Sequence, residues 1–333
     1  MQRSTFIDFA RGFSILTIVI FHFLQWHTLP LPFSHMIKFG GAGIHLFFFA
    51  SGFGLACSSY TTFGSFLKRR FQKVLTPYYI AVTFIFLINL VFRVYDDGLP
   101  EYISHLLLYK MFVPEYEGSL GWQLWFISTI IQFYLLFPLL LRLLNSGRYK
   151  AILAVSLVIS LGYGMALSYS PYAQERVFTG FFLQFLWEFM LGMVVARKRL
   201  LDKLIHQPLY YYILAAAGGT LMTYLLAVRG GTIGVNLNDI FSFVAYSSIV
   251  VLLYRKGKAL HKFIFWITGF SFSLYLMHML VLDVLLLSFQ DFCNSIYFIP
   301  LSLTITLLFS YYYDLLVNKL IQREWAPMAV QRV

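Results

Sequence analysis

The chain has 333 residues, of which 59% are hydrophobic, 20% are aromatic and only 12% are charged. A soluble domain of this length needs far more charged surface, so this composition excludes a soluble protein and predicts one that lies largely within a bilayer. The net charge of +11 is compatible with nucleic-acid binding. However, the cations fall in separate short loops and form no single patch, which excludes that class of partner.

Apolar stretches recur along the whole chain, and each is close to the ~20 residues that a helix needs to cross the hydrocarbon of a bilayer. They predict about ten transmembrane helices, near residues 6–26, 42–60, 74–94, 120–141, 151–168, 179–196, 209–228, 239–254, 263–287 and 296–318. Apolar and polar residues do not alternate in them, which excludes a β-barrel. The predicted fold class is therefore an all-α polytopic membrane protein, and we expect residues 1–333 to form one membrane domain with no soluble extracytoplasmic domain.

The positions of Lys and Arg predict the orientation of these helices. With the N-terminus taken as inside, the inner segments hold 20 of the 25 cations, and these segments are 1–11, 61–73, 142–150, 197–203, 255–262 and 319–333. Such an asymmetry is typical of loops that stay in the cytoplasm. We therefore expect both the N-terminus and the C-terminus to be cytoplasmic.

The first predicted helix carries two polar residues, Arg11 and His22. Eleven residues are close to three helical turns, so the two lie on one face, about 16 Å apart. A histidine can take and return a proton near neutral pH, as general acid–base catalysis requires. An arginine can hold an anionic donor. The alternative is that Arg11 is an ordinary cytoplasmic anchor and His22 an interfacial residue.

The second predicted helix contains His45 and Ser51 among small and aromatic residues. His45 lies near its outer end, and both side chains could line a cavity that is shared with His22. The small residues around them also permit close contact between helices, which is the alternative reason for their presence.

A basic cluster of Lys68, Arg69, Arg70 and Lys73 precedes Pro77 and the third predicted helix. Four cations within six residues suit a phosphate-rich ligand or anionic lipid headgroups. The alternative is that they only fix the topology of the chain.

Four further residues place polar or amphipathic groups in apolar segments, namely Trp125, Glu188, Tyr275 and His278. Tyr275 and His278 lie on one helix face with Ser271, and Glu188 is a carboxylate that could pair with a buried cation. Polar contacts that hold helices together are the alternative role for each. The two cysteines have no metal-ligand spacing, and we predict no metal site.

Taken in order, these segments resemble the acyltransferase-3 family of integral membrane O-acyltransferases. The motifs that carry the resemblance are the Arg-x10-His pair at 11 and 22, Phe-Phe-x-x-Ser-Gly-Phe within 47–53, Arg-Arg-x-x-Lys before a proline at 69–77, Leu-Trp-Phe at 124–126 with Phe-Tyr-Leu-Leu-Phe-Pro at 133–138, and Ser-Leu-Tyr-Leu-x-His at 273–278. The similarity covers the chain from about residue 5 to 320.

The resemblance implies transfer of an acyl group, most commonly acetyl from acetyl-CoA, to a carbohydrate or lipid-linked glycan at the cell surface. His22 would be the essential histidine, and Arg11 together with the 68–73 cluster would hold the CoA. It further implies a bacterial cytoplasmic (inner) membrane, with acyl-CoA, the glycan and membrane lipids as partners. This chain departs from the family pattern in two places. Trp125 is not followed by the acidic pair of many members, and His45 stands where an acid is common.

Two other classes remain open from the sequence. A transporter or exporter of a glycan without chemistry would also need ten spans with intramembrane His and Arg. A membrane acyltransferase of the other class also depends on a buried histidine, which comes late in the chain, as His278 does.

Overall fold

A computed structural model describes residues 4–27, 39–293, 295 and 297–329, with side chains as far as residue 321. Within these ranges the chain is helical and contains no strand, as the sequence predicts. The α-helices in chain order are α1 (Thr5–Leu24), α2 (Gly43–Cys57), α3 (Phe63–Arg70), α4 (Thr76–Phe92), α5 (Leu99–Leu106), α6 (Trp125–Asn145), α7 (Tyr149–Ser168), α8 (Arg176–Thr179), α9 (Leu186–Arg197), α10 (Leu201–Ile205), α11 (Leu209–Arg229), α12 (Gly231–Leu237), α13 (Asp239–Lys256), α14 (Lys258–Gly269), α15 (Ser271–Ser288) and α16 (Phe298–Ala329). A π-helical turn, Phe71–Leu75, joins α3 to α4.

Seven helices in the described part are long and apolar enough to cross a membrane. They are α1, the continuous rod Phe63–Phe92, Trp122–Asn145, α7, α11, α15 and Phe298–Ile321. Helices α12 and α13 together would form an eighth span, bent by 45° at the break between them. The polytopic all-helical fold is thus confirmed. The count of ten stays a prediction, because α2 and α9 have only 15 and 12 residues.

One predicted span, 263–287, is two helices in the structure. α14 ends at Gly269 and α15 begins at Ser271. The hydroxyl of Thr268 donates to the carbonyl of Asp8 at 2.8 Å, which ties the end of α14 to α1. An apolar run shows that a segment is buried, but it does not show where a helix breaks.

Helices α2 and α9 pack with their backbones in direct contact. A Cβ atom on Gly52 would overlap the carbonyl oxygen of Phe189, and one on Gly192 would overlap that of Phe49. Small residues that face each other in this way allow membrane helices to approach closely. The close approach brings the outer end of α2 beside the start of α9.

Aromatic rings fill the space between α2, α6 and α9. Phe48 stacks on Phe185 with ring centroids 4.3 Å apart, and Phe133 stacks on Phe189 at 4.2 Å. Stacked pairs of this kind contribute about 0.5–1.5 kcal/mol beyond the area they bury. They give a rigid support for the residues that line the interior of the bundle.

Candidate active site

Three cavities follow one another along α1 and α2. The basic cavity, about 450 Å³, is lined by residues that include Asp8, Arg11, Ser51, Cys57, Arg70 and Lys73. The central cavity, about 480 Å³, is lined by residues that include Arg11, His22, Ser51, Arg70, Trp125 and Tyr275. The carboxylate cavity, about 580 Å³, is lined by residues that include His45, Trp125, Arg176, Gln184, Asn236 and Asp239.

Neighbouring cavities share walls. Arg11, Ser51 and Arg70 line both the basic and the central cavity. Trp125 and Arg176 line both the central and the carboxylate cavity. The three spaces therefore adjoin in series.

Arg11 and His22 line the same central cavity, as their spacing on one helix face predicts. The guanidinium of Arg11 donates to the carbonyl of Ala50 at 3.1 Å, one residue before Ser51. This bond places the arginine where the basic and central cavities meet, whereas His22 lies three turns further along α1.

His22 lies against a second histidine, His278 on α15, with the two ring centroids 5.3 Å apart. Nδ1 of His278 lies 3.0 Å and 2.9 Å from the carbonyl oxygens of Leu274 and Tyr275. Carbonyl oxygens only accept, so Nδ1 carries the proton and donates it. His278 is fully buried, and its Nε2 has no hydrogen-bond partner among the described residues.

The basic cluster divides between two environments. Arg70 lines both the basic and the central cavity, and Lys73 lines the basic cavity. Lys68 is exposed and lines none of the three cavities, while Arg69 donates to the carbonyl of Ser59 at 2.7 Å. The π-helical turn begins directly after Arg70, and π-turns recur at functional sites in helices.

Trp125 stands between the central and the carboxylate cavity, at the end of a loop that is fixed from two sides. The hydroxyl of Tyr275 donates to the carbonyl of Gln123 at 2.7 Å. The backbone N–H of Leu120 donates to Asp97 at 2.7 Å. Gly121 between them has φ of 118°, a conformation that favours glycine.

A buried lysine supports the same loop. Nζ of Lys110, which is 0% exposed, donates to the carbonyl of Ser119 at 3.0 Å. Burial lowers the pKa of Lys110 from 10.5 to about 7, although the carboxylates of Asp97 and Glu117 act in the opposite direction. A lysine in this position holds the loop through its hydrogen bond, and its charge is costly there.

The sequence did not single out Arg176, which lines both the central and the carboxylate cavity. Its guanidinium carbon lies 4.9 Å from the centroid of the Trp125 ring, a cation–π arrangement. Burial lowers the pKa of this guanidinium, and the nearby carboxylates of Glu117 and Asp239 raise it. Its position depends on the irregular chain before α9, which no periodic pattern in the sequence reveals.

His45 lies between two carboxylates. Its Nδ1 is 2.8 Å from Oε1 of Glu188, and its Nε2 is 3.6 Å from Oδ1 of Asp239. The buried carboxylate of Glu188 thus has His45 as its partner, which is a cation only when the ring is protonated, whereas the sequence did not single out Asp239. One potential ligand atom from each residue lies within 4.8 Å of the others. In this structure the ring nitrogens of His45 face the two carboxylates themselves, and the absence of a metal site stays a prediction from the sequence.

Comparison with known proteins identifies the family. A family described as an acyltransferase domain matches residues 4–315 of the chain. The chain belongs to this family. This acyltransferase is 31% identical over 183 residues to YfiQ of Bacillus subtilis (strain 168), a protein named as a membrane-bound acyltransferase, with half of each chain covered. It is 22% identical over 285 residues to ORF330 of Acidianus two-tailed virus, named as an acetyltransferase, with 83% of this chain and 82% of that protein covered. No solved structure matches.

Family membership decides between the classes that the sequence left open. The chain is a multi-pass membrane enzyme that transfers acyl groups, and it is neither an exporter without chemistry nor a member of the other membrane acyltransferase class. The three cavities present a histidine, His22, in the central one, the cations Arg11, Arg70 and Lys73 on one side and the carboxylate of Asp239 on the other. Ser51, Trp125 and Tyr275 form walls of the same central space.

Proposed function

We propose that this acyltransferase moves an acetyl group from cytoplasmic acetyl-CoA to a hydroxyl of a cell-surface or lipid-linked carbohydrate on the other side of a bacterial inner membrane. The observation that carries the proposal is the series of three adjoining cavities, with His22 in the middle one. The basic cavity lies beside the Lys68–Lys73 segment, which the charge asymmetry of the loops assigns to the cytoplasm. The carboxylate cavity then lies toward the other face of the membrane, where the acceptor carbohydrate is.

On the donor side, Arg70 and Lys73 are the cations that would hold the phosphates of CoA. Both line the basic cavity, and Arg11 stands where that cavity meets the central one. Charge-assisted hydrogen bonds to phosphate contribute roughly 1.5–3 kcal/mol each. With the phosphates held there, the pantetheine arm would extend past Arg11 and Ser51 and bring the thioester toward His22.

At the centre, His22 acts in this proposal as the general base. It takes the proton of the acceptor hydroxyl while the oxygen attacks the thioester carbonyl carbon and forms the C–O bond of a tetrahedral intermediate, and the C–S bond breaks when that intermediate collapses to the ester and the CoA thiolate. His22 then returns the proton to the CoA thiolate. Nδ1 of His22 lies 3.3 Å from the amide nitrogen of Gln25. If the side-chain amide of Gln25 is rotated by about 180°, its oxygen accepts a hydrogen bond from Nδ1–H of His22. The other ring nitrogen, Nε2, is then unprotonated and can act as the base.

Arg176 is the group best placed to stabilise the oxyanion of the tetrahedral intermediate. Its guanidinium stacks on Trp125, and both residues line the central cavity together with His22. A fixed cation that faces developing negative charge in a site shielded from water is a major source of rate acceleration.

A transfer assay tests the proposal. Membranes of the source organism, with the protein overproduced, are supplied with acetyl-CoA that is radiolabelled in the acetyl group, and alkali-labile label in the glycan fraction is counted. We expect His22→Ala to lower this transfer about 10²–10⁴-fold, the usual contribution of a general base. His27→Ala is the matched control, because His27 follows the same helix and lines none of the three cavities.

The outcomes separate the parts of the proposal. Transfer that persists in a folded His22→Ala protein contradicts the role of the histidine. If the unaltered protein gives no labelled glycan but labels a lipid or protein fraction, the carbohydrate acceptor is wrong. Absence of transfer to every fraction contradicts acetyl-CoA as the donor.

A further inference from the structure

The carboxylate cavity contains a potential hydrogen-bond donor and a hydrogen-bond acceptor that lie close together but do not bond to each other. Nε2 of His45 and Oδ1 of Asp239 are 3.6 Å apart, too far for a hydrogen bond between them. The other polar atoms of both side chains are held in place. Nδ1 of His45 lies 2.8 Å from Glu188, and Oδ2 of Asp239 accepts from Gln184 at 2.7 Å. The pair is therefore rigid and its open side faces the cavity.

A hydroxyl group fits this arrangement because it donates one hydrogen bond and accepts another. When the His45 ring carries both protons, Nδ1–H donates to Glu188 and Nε2–H is free to donate to a hydroxyl oxygen. That hydroxyl can in turn donate to Oδ1 of Asp239. We propose that the carboxylate cavity is the binding site of the acceptor, an uncharged sugar, and that His45 and Asp239 hold one of its hydroxyls between them. This inference rests on the proposed function and deepens it.

Charge balance favours an uncharged acceptor. Two carboxylates, Glu188 and Asp239, stand in or directly behind the walls of this cavity with Arg176 and His45, which is a cation when its ring carries both protons. Charges of both signs are thus interspersed there and no cluster of one sign faces the ligand, which favours neither an anionic nor a cationic ligand. The further polar walls are three amides and two hydroxyls, from Gln174, Gln184, Asn236, Thr179 and Thr232. Such groups recognise sugar hydroxyls through hydrogen bonds.

The backbone around the cavity supports a ligand site. The chain from Gly180 to Phe185 is not α-helical, and α12 meets α13 at a 45° bend just before Asp239. Irregular backbone at membrane depth is tolerated where it lines a polar cavity, and interrupted helices mark substrate sites in membrane proteins. The volume of about 580 Å³ lies within the range of small-molecule sites.

The cavity also gives the acceptor a route to the reacting atoms. Ile44, Trp125 and Arg176 line it together with the central cavity that contains His22. A sugar held by His45 and Asp239 would therefore need to extend only past Trp125 and Arg176 to present a second hydroxyl to His22. In this proposal His45 binds the acceptor, and His22 removes the proton from the hydroxyl that reacts.

The test separates acceptor binding from donor binding. Asp239→Leu and Asp239→Asn are compared in the transfer assay with a glycan fraction of the source organism as acceptor, and acetyl-CoA binding to the purified proteins is measured by calorimetry. We expect Asp239→Leu to raise the acceptor KM at least tenfold and to leave the Kd for acetyl-CoA within twofold. Asp239→Asn keeps a side-chain oxygen, so its acceptor KM should lie between that of Asp239→Leu and that of the unaltered protein. An unchanged acceptor KM in Asp239→Leu overturns the assignment.

A second measurement covers the case in which Asp239→Leu does not fold. The variant Thr232→Cys is made in a chain that also carries Cys57→Ser and Cys293→Ser, so that it has a single thiol. It is treated from outside with a membrane-impermeant thiosulfonate, and acetyl transfer is measured before and after treatment. We expect transfer to be lost while acetyl-CoA binding persists. The matched control is the Cys57→Ser chain, in which Cys293 is the reactive thiol outside the cavities. Equal transfer before and after treatment of Thr232→Cys, in protein whose modification at that thiol is confirmed by mass spectrometry, overturns the inference.

If the unaltered protein transfers no label at all, the proposed function itself fails. If only the inference about the acceptor site is wrong, the unaltered protein, Asp239→Leu and the treated Thr232→Cys all transfer label, so the two results can be distinguished.

Discussion

The imidazole of His278 lies 5.3 Å, centroid to centroid, from that of His22 and is fixed by hydrogen bonds of its own to backbone carbonyls. Because Nδ1 carries the proton, the neutral ring has a lone pair on Nε2. That atom is buried, with no partner among the described residues. We expect this lone pair, close to the ring of His22, to stabilise the imidazolium that forms when His22 takes a proton.

We predict that His278→Phe lowers kcat about tenfold, or about 1.4 kcal/mol, and leaves the Kd for acetyl-CoA unchanged. Phenylalanine keeps a ring against His22 but has no lone pair. Steady-state kinetics and calorimetry on the same preparation measure both quantities. A parallel loss of acetyl-CoA binding would show that His278 only supports the packing of α15.

The division of the basic cluster gives a second prediction. Arg70→Gln should raise the KM for acetyl-CoA about 10–100-fold, which corresponds to one lost charge-assisted bond to phosphate. Lys68→Gln removes the same charge two residues away, outside the cavities, and should change KM less than twofold. Equal effects of the two substitutions would mean that the cluster acts only through its total charge.

The sequence predicted the polar face of α1 well because Arg11 and His22 lie on one helix, where spacing fixes relative position. For the basic cluster, the sequence predicted one shared role for all four cations. It could not show that Arg70 and Lys73 line a cavity while Lys68 does not, because this difference depends on how the segment packs against the rest of the protein. The partner of Glu188 is His45, 143 residues earlier in the chain. No pattern in a single sequence connects such positions, and for the same reason Asp239 and Arg176 were missed.

Contact between α2 and α9 leads to a prediction about stability. Gly52→Ala places a methyl group on the carbonyl of Phe189, so the helices must separate. Overpacking of this kind costs about 1–3 kcal/mol, and we expect a clear fall in the temperature of thermal unfolding. Gly218→Ala is the control, because a Cβ there meets no atom within 4 Å and alanine is the better helix former. Comparable losses in both proteins would contradict the packing argument.

The position of Arg176 over Trp125 predicts a defect in chemistry and not in binding. Arg176→Gln should lower kcat about 10²–10³-fold, as removal of one oxyanion-stabilising group does, with little change in the Kd for acetyl-CoA. Arg229→Gln is the control, since Arg229 is an exposed cation on the same predicted side and lines none of the three cavities. If acetyl-CoA binding falls as far as kcat, the guanidinium binds the donor and does not act on the transition state.

Burial of Lys110 makes the stability of the protein depend on pH. Its pKa is about 7 in the folded chain and returns to its ordinary value of 10.5 on unfolding. Between these values the unfolded state binds more protons, so stability rises with pH, by at most about 1.4 kcal/mol per pH unit from this group. Below pH 7 both states are protonated and the cost of the buried charge is present in full.

We therefore expect the temperature of thermal unfolding to increase from pH 7 to pH 9 in detergent solution. Lys110→Met keeps the length of the side chain without the charge, so it should be more stable than the unaltered protein at pH 7 and show a flatter pH profile. Because Lys110 is 0% exposed and supports the loop that positions Trp125, the substitution also removes the hydrogen bond to Ser119. A protein that loses stability equally at pH 7 and pH 9 would show that this bond, and not the buried charge, dominates at the site.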